Sequence, residues 1–221
     1  MKTLIKATIL SMVVIFAYSY SFAQNDTSKT AVGKAVDKVE DVFTGDHKDI
    51  DHNHSALMER IDDLLEKVQN MNLSGDFDKD YAEMMIEYNQ AGIDMAQTET
   101  MKGNNANLKE KARLTIDQQK EENDQLRAFL KDFKESGKKH DVSILKNAVT
   151  EKLNKMHQVK ITGDVDKDFA KLMNMHREYA IDLHKLQLEH GMSAELKEHA
   201  RKSITEQEKD MADLKEFNDV E

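Results

Sequence analysis

Gly75-Asp76-Phe77-Asp78-Lys79-Asp80-Tyr81-Ala82 returns 88 residues later as Gly163-Asp164-Val165-Asp166-Lys167-Asp168-Phe169-Ala170. The offset holds without a gap from Gly75 to Phe129 and gives 20 identities in 55 positions, where chance gives about three or four. Ile93-Asp94 falls on Ile181-Asp182, Gly103 on Gly191, Leu108-Lys109-Glu110 on Leu196-Lys197-Glu198, and Gln119 on Gln207. One unit has been duplicated in tandem.

Outward from the repeated motif, each unit reads as three helices. A shorter one covers about 54–69, where Leu57, Ile61, Leu64, Leu65 and Val68 step by three and four, and it is echoed over 143–157. Ser74-Gly75 and Thr162-Gly163 break the chain, and an aspartate stands ready to cap the next helix. That second helix is predicted over 78–101 and 166–190, with Gly103 and Gly191 just past its end as C-terminal caps. The third is predicted over 106–133 and 193–217, with Leu108, Ala112, Ile116, Gln119, Leu126 and Phe129 on one stripe. A two-helix hairpin cannot bury its own apolar stripe, but two hairpins can bury each other. The expectation is an all-α four-helix bundle from two tandem helical-hairpin repeats, each preceded by a shorter helix. The domains are then a first repeat over 52–138 and a second over 139–221.

Composition agrees. In 221 residues there is no proline and only 8 glycines, 33% of residues are charged and 6% aromatic. Long amphipathic helices tolerate that mix, and a β-sandwich does not. Residues 1–23 read as a secretory signal peptide. Lys2 and Lys6 open it, an apolar run follows from Ala7 to Phe16, and Ser21-Phe22-Ala23 offers a cleavage site. The run is too short for a membrane span, so the expectation is an exported, periplasmic or secreted protein with no span after cleavage. Loss of Lys2 and Lys6 takes the formal charge from −10 to −12. Such a surface repels nucleic acid and anionic lipid and favours cations. With no cysteine, the fold rests on packing, or on packing plus metal.

Two places could carry chemistry. On the second helix of the second copy the inward stripe includes Met173, His176, His184 and Gln187, with Met175 beside it. Imidazole and thioether are soft or borderline ligands, suited to copper. His176 and His184 are two turns, about 12 Å, apart. They cannot share one ion, so a site needs another helix, with His199 or Gln207 as candidates. The alternative is that these histidines are packed core residues, and the first copy has Tyr88, Asn89 and Ala96 in place of His176, Arg177 and His184. The second place is the acidic linker 24–51, whose end carries His47 and runs into His52 and His54. Three histidines among aspartates can chelate Cu(II), Zn or Ni, or form a polar lead into the first helix. The Asp-x-Asp-Lys-Asp motif is no calcium loop, because the required sixth-position glycine is Tyr81 in one copy and Phe169 in the other. No Glu-x-x-His pair for a di-iron centre, no glycine-rich phosphate loop and no thiol is present, so the chain does not read as an enzyme.

The run Gly163 to His176, then Ala180-Ile181-Asp182-Leu183 and, further on, Leu196, Ala200, Ile204, Gln207, Asp210 and Leu214, resembles domain-of-unknown-function family 305. In the first copy Met85, Ile93, Met95, Ala112, Ile116, Gln119 and Glu122 match. The resemblance spans about 54 to 217. It implies an exported, ferritin-like helical protein that handles metal, chiefly copper, through methionine and histidine. Of the family's ligand positions Met173 and His176 are kept, whereas its second histidine is Arg177 here. A guanidinium cannot ligate a metal. The functional expectation is a periplasmic metal-binding protein, with copper as the ion, that buffers or carries it. The alternative is a structural or protein-interaction module that binds another envelope protein.

Overall fold

The computed structural model describes residues 52–135 and 137–218. The signal segment, the linker and His47 lie outside the described residues, as do the side chains of His52 and His54. The described residues belong to one compact unit that holds both repeats. Its six helices are α1 (His52–Asn70), α2 (Phe77–Lys102), α3 (Ala106–Asp132), α4 (Ser143–His157), α5 (Val165–His190) and α6 (Ala194–Asn218). No strand occurs among the described residues, and no described helix is long and apolar enough to cross a membrane.

The helices stack in three layers. α2 and α5, one from each repeat, pack against each other in the middle. Each also packs against its own hairpin partner, α3 or α6; α2 packs in addition against α1, and α5 against both α1 and α4. Being covered from both sides explains why α2 buries Met84, Met85, Tyr88, Ala91 and Met95 around much of its circumference. α1 and α4 close the opposite side by pairing Leu57, Ile61, Leu64 and Val68 with Leu145, Val149, Leu153 and Met156 in one continuous core.

Each aspartate of the repeated motif has its own task. Asp80 folds back onto the break before α2 and accepts from the Ser74 N–H (2.7 Å), the Ser74 hydroxyl (2.7 Å) and the Gly75 N–H (2.9 Å). Asp168 does the same for Thr162 and Gly163. Asp164 caps α5 by accepting from the Lys167 N–H at 3.2 Å, whereas Asp76 holds the same backbone position without a side-chain capping bond. The middle aspartate reaches across to the other repeat. Asp78 accepts from the Met192 and Ser193 N–H groups that lead into α6, and Asp166 from those of Asn104 and Asn105 leading into α3. These carboxylates are committed to N–H donors that helix starts leave unsatisfied. That is a structural reason for the motif without calcium.

The glycines divide into two kinds. Gly75 and Gly163 sit at φ 84° and 88°, in the left-handed region where a Cβ is strained. Gly75→Ala is expected to cost about 1–2 kcal/mol in urea unfolding, and Gly75→Asn distinctly less. Equal effects of the two would remove the conformational explanation. Gly103 and Gly191 do not adopt the left-handed C-cap that their position suggests. They have φ −64° and −66°, and a Cβ there would collide with the side chains of Glu99 and Gln187, which fold beneath them. Close approach, and not backbone handedness, selects glycine at these two ends.

Candidate metal centre

α3 and α6 lie on the same face of the central pair, and a polar groove runs between them, with Thr115, Gln119, Glu122, His199, Ser203 and Asp210 among its walls and Arg177 of α5 at its floor. One cluster stands out along it. Glu122 of α3, His184 of α5 and His199 of α6 each bring a donor atom within 4.8 Å of the others. Glu122 Oε1 is 3.5 Å from His199 Nε2 and 3.9 Å from His184 Nε2. The cluster draws on both repeats, so neither copy alone could form it.

Two of the three members are held from behind. Glu122 accepts from the Ser203 hydroxyl at 2.7 Å and from the Asn89 amide at 3.0 Å. His184 is fully buried, and its Nδ1 lies 2.7 Å from the hydroxyl of Tyr81, itself fully buried. The His184 Nε2 and both ring nitrogens of His199 have no hydrogen-bond partner. Orphaned buried polar atoms are costly and rare, and here the two Nε2 atoms face the same Glu122 oxygen. Burial, and then the neighbouring His199, push His184 down to about 3. Burial, followed by Lys202, also lowers His199. Both rings are therefore neutral at ordinary pH, the form that ligates metal. Burial raises the Glu122 carboxyl, against the lowering effect of its bonds from Ser203 and Asn89.

The other expected ligands sit elsewhere. Met173 is buried in the hydrophobic core, and Met175 packs half-buried against it. His176 stacks on the Tyr88 ring, with centroids 4.2 Å apart and planes 13° off parallel. The Tyr88 hydroxyl donates to the His176 carbonyl at 3.0 Å. The His176 Nε2 lies over Gly92, where a Cβ would come within 2.7 Å of it and 2.5 Å of Gln119 Oε1. Burial above all, then Arg177, hold His176 at about 3. Of the sequence candidates, His184 enters the donor cluster, and His199 is the partner from another helix that its position required. Glu122, Tyr81, Ser203 and Asn89 were not singled out as site residues. The 88-residue offset carries a faint signal for the cluster: Tyr81, His184 and His199 correspond to Phe169, Ala96 and Lys111, so the copies diverge where it forms.

The counterpart of the cluster, found by the same offset, is built differently. Asp210 stands for Glu122, Thr115 for Ser203 and Arg177 for Asn89. The buried Arg177 guanidinium donates to the Thr115 hydroxyl at 2.7 Å and lies 3.5 Å from Asp210. Lys111 pairs with Asp213 at 3.0 Å. Side-chain cations already fill this half of the groove.

A duplicated three-helix unit with a carboxylate and two imidazoles joined across its repeats defines the class: an all-helical bundle with a single-sided polar centre. The chain belongs to the family described as Domain of unknown function (DUF305), whose model matches residues 22–130 and 132–218. The two matched segments correspond to the two copies. No curated protein and no solved structure matches the chain.

Proposed function

We propose that this protein is a non-enzymatic metal-binding protein of the cell envelope that buffers or carries one borderline divalent ion, with copper as Cu(II) the first candidate. The reading is carried by the convergence of Glu122, His184 and His199 on one point beside a solvent-open groove, with the Nε2 atom of each histidine lacking a hydrogen bond. Two imidazoles and a carboxylate suit Cu(II), Zn or Ni, whereas Cu(I) prefers the thioethers that Met173 and Met175 keep in or against the core. An ion about 2.1 Å from each donor in a tetrahedron separates the donors by about 3.4 Å. The Glu122 distances of 3.5 and 3.9 Å are near that value, and the third separation, within 4.8 Å, closes by rotation of the two imidazoles toward the ion. The acidic composition and the sequence expectation of an export signal support an envelope setting.

Titration of the full mature chain with Cu(II) and with Zn(II) tests the proposal. One ion per chain is expected, with affinity reduced at least about 100-fold in a Glu122→Gln, His199→Ala variant. A companion variant, Met173→Leu, is expected to bind as the wild type does. Binding no tighter than micromolar, or equal binding by the Glu122/His199 variant, would sink the assignment.

A further inference from the structure

We infer that Tyr81 is a positioning residue for the metal centre, setting which ring nitrogen of His184 faces the ion; this rests on the metal-binding reading above. Its hydroxyl lies 2.7 Å from His184 Nδ1, and both side chains are fully buried. With Nδ1 engaged by the phenol, Nε2 is the nitrogen left facing Glu122 and His199. Metal-bound histidines use this arrangement: the far nitrogen carries its proton and donates it, which fixes the tautomer and the ring plane. In the loaded centre Nδ1–H donates to the phenol oxygen and the Nε2 lone pair faces the ion.

The duplication supplies an internal comparison. At the offset positions stand Phe169 in place of Tyr81 and Ala96 in place of His184, both buried. Hydroxyl and imidazole are thus present together in one pair and absent together from the other. The fold accepts a bare phenyl ring at this level, so packing alone does not require the hydroxyl. Its partner across the repeats does. The side that lacks both groups is the side where Arg177 and Lys111 bring their own positive charges.

The experiment compares wild type, Tyr81→Phe and Phe169→Tyr in Zn(II) and Cu(II) titrations, with circular dichroism of each metal-free chain. Tyr81→Phe is expected to weaken binding about 10- to 100-fold, and Phe169→Tyr to leave it unchanged. Nitrogen-15 NMR of the Zn-loaded wild type is expected to show His184 coordinated through Nε2 and protonated at Nδ1, which decides the matter even where Tyr81→Phe does not fold. Equal affinity of Tyr81→Phe and wild type, or coordination through Nδ1, overturns the role of Tyr81 and leaves the metal site standing. No binding by wild type overturns both.

Discussion

Replacing Asp78 with alanine is expected to destabilise the protein by about 4 kcal/mol and to lower its Tm by about 10 °C. Asp78 is 5% exposed, and its two oxygens hold three donors from the other repeat. The Gln187 amide donates at 2.6 Å, the Met192 N–H at 3.0 Å and the Ser193 N–H at 2.9 Å. Alanine leaves all three without their acceptor, the Gln187 amide in a buried place and the two N–H groups in a part-buried one. Each lost partner costs about 1–3 kcal/mol, and those at the start of α6 also lose a negative charge near the helix N-terminus. Asp164→Ala is the control, because this exposed cap accepts from the Lys167 N–H alone at the start of its own helix, and the change is expected to cost about 1 kcal/mol. Chemical denaturation of the three proteins decides the point. An effect of Asp78→Ala no larger than that of Asp164→Ala would mean that the repeats are not clamped here.

Glu99→Gln is expected to stabilise the protein, and to do so increasingly as pH rises. Glu99 is the counterpart of Gln187 and is fully buried beneath Gly103. Burial first, and then the Asp166 carboxyl that bonds its protonated form, raise it from 4.5 to about 8. Lys109 opposes the rise and Asp164 adds to it. Since the folded pKa lies above the unfolded one, the native chain holds a proton that the unfolded chain gives up. Between pH 4.5 and about 8 stability therefore falls as pH rises, and above that range the penalty is constant. Glutamine presents a permanent N–H to Asp166, as Gln187 does to Asp78 at 2.6 Å. The variant should match wild type near pH 4.5 and exceed it by on the order of 3 kcal/mol above pH 8. Urea unfolding across that range measures it, and a difference that does not change with pH would refute the burial argument. The reciprocal Gln187→Glu is expected to introduce the same pH dependence on the other side of the molecule.

These two predictions share a cause that bears on what sequence could reveal. The Asp-x-Asp-Lys-Asp motif was legible as helix-capping material, and Asp164, Asp80 and Asp168 use it within their own repeat. That Asp78 and Asp166 reach the opposite repeat was not legible. A capping aspartate has the same local sequence whichever helix start it serves. The helix boundaries came close for the same local reasons: α4 spans the predicted 143–157, and the others differ by one or two residues. At Gly103 and Gly191 the position was right and the reason was wrong, because the Glu99 and Gln187 side chains that forbid a Cβ are visible only once folded.

The candidate site divides in the same way. Periodicity put His176 and His184 on a buried face of α5, and both are at most 1% exposed. Sequence could not separate them, since each is an imidazole at helical spacing. Their surroundings do: His176 meets the Tyr88 ring, while His184 meets Tyr81, His199 and Glu122. Glu122 belongs to the third helix of the first copy, 62 positions before His184, and no local pattern links residues so far apart.

By itself the sequence determined the duplication, the six described helices and which faces they bury. Those properties follow from local hydrophobic spacing and from turn chemistry, and each copy encodes them independently. Only the tertiary structure decided that the copies interlock through their aspartates, and that one carboxylate and two imidazoles from three helices meet. Donor convergence depends on how helices from different repeats pack, and packing is a property of surfaces brought together, not of the order of residues along either one.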